Sequence, residues 1–260
     1  MPQIADGGHY LASESTIYRL LRREGQLAHR GRARPAARHR PKELVATAPN
    51  QVWSWDISYL PSLIRGKFFY LYMIVDVFSR KIVGRAVHDA ESDLHAAVLM
   101  AATCAAQGVR RDQLVVHSDN GGPMKGATML ATLQQLGVAP SFSRPGVSDD
   151  NPYSESLFRT MKYRPDYPSK PFASIDHATA WVDRFVRWYN QVHLHSAIGF
   201  VTPDQRHCGD DFGILENRAT VYAAARRRNP HRWASKARSW SRVDVVKLNP
   251  RDTRAAKAVA

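Results

Sequence analysis

Three runs rich in β-branched and aromatic residues, 51–59, 68–77 and 81–88, follow one another with only short breaks between them. Gly66-Lys67 and the five residues DVFSR from Asp76 to Arg80 punctuate these runs, and short strands joined by tight turns pair as an antiparallel meander. The segments beyond residue 90 fix the class. A helical pattern over 92–107 leads to a short apolar run, 114–117, which ends at Ser118-Asp119. A helix over 125–136, a strand over 139–143 and a long amphipathic helix over 175–192 come next. Three antiparallel strands followed by alternating helices and strands predict an α/β domain with a mixed five-stranded sheet flanked by helices.

Between the last strand and the long helix lies PGVSDDNPYSESLFRTMK, residues 145–162. Its first half is dense in turn formers, and Leu157, Phe158 and Met161 then recur at helical spacing, so a loop feeds a helix with Glu155 in its first turn. Taken alone, Glu155 complements the positive end of a helix dipole. Asp56, in the first strand, and Asp119, just past the fourth, change that reading. If those strands are neighbours, the two Asp residues converge at one edge of the sheet and the helix can bring Glu155 to them. Three carboxylates would repel one another strongly unless a hard cation neutralised them. Mg²⁺ or Mn²⁺ suits such a donor set. Two such ions about 3.5–4 Å apart can activate an attacking oxygen and stabilise a leaving one. Asp76, Asp149 and Asp150 read instead as turn, loop and capping groups, and His117 as structural.

The local words are more specific. TAPNQVWSWDISYL, YMIVDVFSRKIVG, HSDNGGPM, RPGVSDDNPYSESLFRTMK and FVRWYNQVHLHSAIGFVTPDQRH occur in that order, and over 13–250 the chain resembles bacterial insertion-sequence transposases of the IS-three type. These belong to the DDE superfamily and share the retroviral integrase catalytic core, with its ribonuclease H-like fold. The resemblance implies that Asp56, Asp119 and Glu155 are the catalytic, metal-binding triad, including the 35 residues that separate the last two. It implies Mg²⁺-dependent nicking at the element's ends, then attack of the freed 3′-hydroxyl on a phosphodiester, without a covalent protein intermediate. Double-stranded DNA, as terminal inverted repeats and as target, is the implied partner, with a homo-oligomer assembled on it. Lys162, two helical turns after Glu155 and on the same face, is the implied DNA contact near the reacting end, with Arg159 a second candidate. Asn120 and Gly121 follow the second Asp, where a glycine permits close approach of a nucleic-acid backbone. Glu155, set behind a Gly/Ser/Asp-rich loop, is expected to be the mobile member of the triad, fixed when metal and DNA arrive. Trp188 reads as packing, whereas Tyr189, Asn190, His193 and His195 stay open between packing and lining a DNA end.

Charge is unevenly spread. Lys and Arg number 37 against 23 Asp and Glu, but residues 43–217 hold sixteen against eighteen, while 1–42 hold nine against three and 218–260 twelve against two. A near-neutral centre between cationic ends suits a polyanion-binding protein whose centre holds cations. In the first end, a Ser-rich cap and Ile17, Leu20 and Leu21 mark a helix that offers Arg19, Arg22 and Arg23 to DNA, as the last helix of a helix-turn-helix would. The expected organisation is a helix-turn-helix remnant over 1–27, a basic linker over 28–49, the catalytic core over 50–207 and a basic region over 208–260. That last region, with a helix over 218–228, Trp233, Trp240 and a short strand over 243–248, either binds DNA or caps the core. Two cysteines, outside any ligand pattern, and the lack of a long apolar run predict a cytoplasmic, nucleoid-associated protein without membrane insertion. Competing readings are a transposase fragment that only binds DNA and a ribonuclease H-type nuclease.

Overall fold

The computed structural model describes residues 12–26, 41–144, 150–232 and 238–250. The basic stretch 28–40, Trp233 and Asp149 therefore lie outside the described residues. The chain divides into two units, 1–39 and 40–260.

In the first unit, helix α1 (Glu14–Arg23) begins where the sequence places it, with the Ser13 hydroxyl accepting from the Thr16 amide. Arg19 folds back onto Ser15 O and Thr16 Oγ1, and Arg22 and Arg23 are exposed at the helix's C-terminal end.

In the second unit, β2 (Val52–Pro61), β3 (Phe68–Asp76) and β4 (Ile82–His88) form the meander. Helix α2 (Asp93–Ala106), capped by the Ser92 hydroxyl, then crosses over so that β5 (Val115–Ser118) lies parallel to β2. Strand β6 (Ala139–Phe142) extends the sheet in parallel beyond β5, giving the order β4-β3-β2-β5-β6. A parallel neighbour needs such a crossover, whereas the antiparallel pairs need only turns. The predicted mixed five-stranded sheet is thus present.

Alternation along β2 assigns its two faces. Trp53 and Trp55 point into one core with Ala97, Met100, Met129 and Leu133. Leu60, with Met73 and Val75 of β3, packs on the other face against helices α5 (Pro152–Lys162) and α6 (Ile175–Gln191) through Leu157, Phe158, Met161, Val182 and Phe185. Asn190 near the end of α6 imitates a strand residue at the sheet edge, accepting from Ile82 N and donating to Ile82 O, both at 2.9 Å. Tyr189 is buried beside it, so both settle as packing groups.

The helix predicted over 125–136 is divided. Gly122–Lys125 forms α3 and Ala127–Leu136 forms α4, with the break at Gly126 (ψ 146°). The Asp93 carboxylate occupies the space a Cβ at residue 126 would take, and it accepts from the Thr128 amide at 3.2 Å. A side chain distant in sequence therefore starts α4, which local periodicity cannot show. The last helix is longer than predicted: α8 runs Asp211–Arg228, following α7 (Pro203–Cys208), whose Thr202 and Gln205 form a capping box. Gly213 in the first turn of α8 hides its start from a propensity reading.

Strand β7 (Val246–Leu248) falls within the predicted 243–248 and pairs antiparallel with β1 (Leu44–Ala46), which the sequence does not announce. The segment leading to it is held by buried charge. Asp211 accepts from Arg206 at 2.5 Å and from Arg242 at 2.7 Å, and both guanidinium groups lie against the ring of Phe78. Among the described residues no helix is long and apolar enough to cross a membrane.

Candidate active site

The parallel ladder between β2 and β5 ends at the pair Trp55 and Ser118. Asp56 and Asp119 are the next residues on their strands. They share a sheet face: Asp56 alternates with Ser54, and Asp119 with His117, and both of those residues bond to the segment that opens α5.

Asp119 is half-buried, and its Oδ1 accepts from the Ser143 hydroxyl at 2.8 Å. Ser143 is itself the first residue past the last β5–β6 pair, Ser118 and Phe142. Behind it, His117 is buried, with Nε2 2.9 Å from Asp150 O and Nδ1 2.9 Å from Ser141 Oγ. This pattern assigns the proton to Nε2. Burial pushes the imidazole pKa down, so it stays neutral, in keeping with the structural role read from sequence. Asp150 holds Arg144 through paired hydrogen bonds of 2.9 Å, which lower the Asp150 pKa, and Asp76 accepts from Ser79 within its turn and from the Asn50 amide ahead of β2. Both match the loop and turn roles expected of them.

Asp56 differs from these carboxylates. Its Oδ1 accepts only from the adjacent Ile57 amide among the hydrogen bonds described. Burial above all, with the negative charges of Asp119 and Glu155, raises its pKa to about 7 against the opposing pull of the Ile57 amide and the cation of Lys162. Three groups named from sequence, Asp119, Glu155 and Lys162, thus lie within electrostatic reach of Asp56. Glu155 and Lys162 are exposed on α5, and among the described residues no three His, Cys, Asp or Glu side chains are gathered closely enough to hold an ion.

The Integrase core domain family matches residues 46–148 and, through a second description of the same name, 136–203. Residues 46–203 belong to the integrase core family. Among curated relatives, the "Transposase for insertion sequence element IS904" of Lactococcus lactis is 32% identical over 61% of this chain and 61% of its own length. The "Transposase InsF for insertion sequence IS3A" of Escherichia coli is 28% identical over 63% of this chain and 56% of its own length. The chain therefore spans little more than half of these relatives. In the solved intasome of simian T-cell lymphotropic virus with the PP2A regulatory subunit B56 gamma, a matching chain has a TM-score of 0.52 and 17% identity, covering 65% of this chain and 58% of that one. That likeness bears on the fold, which is the ribonuclease H-like arrangement expected of an integrase core.

Within this integrase core, the other residues named from sequence separate. Arg159 lies over the Tyr163 ring, 5.7 Å from its centroid. Asn120 is turned inward and donates to Ser143 O, so it braces the loop after Asp119. Gly121 caps α3, where a Cβ would meet the Met124 sulfur at 2.7 Å. Arg19, Arg22 and Arg23 belong to the separate first unit. Sequence reasoning missed a buried polar group beneath the carboxylates, formed by Ser54, Asn151 and Ser154. Its signal was the alternation Ser54, Asp56, Ser58 on one face of an otherwise apolar and aromatic strand.

Proposed function

We propose that this integrase core is the catalytic part of an insertion-sequence transposase that nicks DNA at the element's ends and joins the resulting 3′ end to target DNA. The observation that carries the proposal is the placement of Asp56 and Asp119 one step past a shared parallel ladder, with Glu155 close enough to raise the Asp56 pKa. Two carboxylates that raise the pKa of a third make up with it the donor set a hard divalent cation fits. Asp56, Asp119 and Glu155 would hold Mg²⁺ or Mn²⁺, one ion or two. Bound there, the cation supplies Lewis acidity toward the attacking and leaving oxygens of an in-line displacement.

The protein's own groups then have distinct tasks. Asp56 and Asp119 stand on adjacent strands of a rigid sheet, and Ser143 orients the second of them. Glu155 brings its exposed carboxylate from α5, so its side chain is the adjustable member of the set. Lys162 offers a cation to a DNA phosphate two turns along the same helix. In the displacement, a water or a 3′-hydroxyl forms a new P–O bond as the old P–O3′ bond breaks, so no protein side chain becomes phosphorylated.

The test uses oligonucleotide duplexes carrying the element's end sequence. Asp56→Asn, Asp119→Asn and Glu155→Gln are each expected to abolish Mg²⁺-dependent nicking and joining while DNA binding persists. Joining at the wild-type level by any one variant would remove that residue from the site.

A further inference from the structure

Beneath the carboxylates lies a layer of polar side chains that are fully buried and hydrogen-bonded to one another. Ser54, Asn151 and Ser154 are 0%, 0% and 2% exposed. Ser54 Oγ is 2.5 Å from Asn151 Oδ1 and 2.6 Å from Ser154 Oγ, and Asn151 Nδ2 is 3.3 Å from Trp55 O. An amide oxygen only accepts, so the Ser54 proton goes to Asn151 and the Ser154 proton to Ser54. The direction of the chain is fixed, from Ser154 to Ser54 to Asn151 to the backbone of β2. Beside it, His117 of β5 bonds to Asp150 O at 2.9 Å.

The anchors keep step with the site. Ser54 and His117 each stand two residues before an Asp, on the same face of their strands. Their bonds meet at Asp150, Asn151 and Ser154, the residues that lead into Glu155.

Apolar groups of the same shape would hold the helix about as firmly, because a buried hydrogen bond adds little net stability. What directional bonds add is register. A helix resting only on Leu157, Phe158 and Met161 can slide, and each residue of slip moves Glu155 about 1.5 Å along the helix axis.

We propose that Ser54, Asn151 and Ser154, with His117 on Asp150, are positioning residues that set α5 against β2 and β5 so that Glu155 meets Asp56 and Asp119 around a divalent cation. This rests on the reading of those three carboxylates as metal ligands. None of the four touches the reacting atoms.

The test is calorimetric titration of Mn²⁺ into the full chain, wild type and variants, with folding checked by circular dichroism. Asp56→Asn is the ligand control, and Leu157→Ala is the packing control, since it loosens the same helix without touching the layer. Ser54→Ala and Asn151→Ala are each expected to weaken Mn²⁺ binding about tenfold or more. The double variant should lose less than the two singles combined, because both remove the shared Ser54–Asn151 bond. Leu157→Ala should melt earlier yet bind Mn²⁺ as the wild type does. If both single variants bind within twofold of wild type while Asp56→Asn has lost binding, the layer is packing and the proposal is overturned. If the wild type itself binds no Mn²⁺, the underlying reading of the carboxylates falls first and takes this proposal with it. Should Asn151→Ala fail to fold, Ser54→Ala decides alone, since it deletes a single oxygen.

Discussion

Asp56 and Asp119 occupy the same step on two parallel strands, each the first residue past the last paired position, Trp55 with Ser118. Backbone groups at that step are leaving the ladder, so the side chains face a place where strands diverge and a ligand can enter. Ligands of open α/β sheets lie beyond the carboxyl ends of the parallel strands for the same reason.

The position has a cost for the empty protein. Burial and two neighbouring negative charges raise the Asp56 pKa to about 7, against about 3.9 in an unfolded chain. From the unfolded pKa upward the fold holds a proton that the unfolded chain has released, so stability falls as pH rises. The penalty is complete above pH 7, where the fold carries the charge it disfavours. We expect Asp56→Asn, which keeps the oxygen that accepts from Ile57, to be more stable than wild type in metal-free buffer at pH 8. Discounted for partial exposure, a gain of about 1 kcal/mol corresponds to a melting temperature about 2–4 °C higher. Added Mn²⁺ should raise the wild-type melting temperature and leave the variant's unchanged. A variant that melts no higher than wild type without metal would show that the charges do not strain the site.

Much of this site was legible because its parts are local words on strongly patterned elements. Alternating apolar residues placed Asp56 on a strand, the apolar run before Ser118 placed Asp119 at a strand end, and Leu157, Phe158 and Met161 placed Glu155 on a helix. The polar layer was not legible: a serine in a strand and an asparagine before a helix each have an ordinary local explanation, and only the fold brings Ser54 to Asn151. The same limit hid β1. Leu44–Ala46 is three residues long and finds its partner about 200 residues later, so it has no neighbour in sequence to reveal it. Asp93, which breaks the predicted helix at Gly126, likewise acts from another element, 35 residues before the Thr128 amide it accepts from.

Lys162 and Arg159 lie one turn apart on α5, but their settings differ. Lys162 acts electrostatically on Asp56, whereas Arg159 lies over Tyr163. We expect Lys162→Gln to weaken binding to duplexes of any sequence and to lower the slope of log affinity against log salt by about one, the signature of one lost phosphate contact. Arg159→Gln should change that slope less. Fluorescence anisotropy over a salt series measures both, and an unchanged slope for Lys162→Gln would take this residue off the DNA.

Acid should unfold the core through its histidines. Burial, then the charge of Arg80 and the neighbouring His193, push the His195 pKa down to about 3, and His117 and His193 are also lowered, chiefly by burial. A histidine held neutral in the fold but titrating near 6.5 when unfolded binds more protons in the unfolded state at low pH. Its contribution is therefore complete above pH 6.5 and is lost as pH falls from there toward 3. By pH 5 a single such residue lowers stability by about 1–2 kcal/mol. Denaturant melts at pH 7.5 and pH 5 should show this fall. His195→Gln, which cannot take up the proton, should reduce the difference between the two pH values, while an equal difference in that variant would place the proton uptake elsewhere.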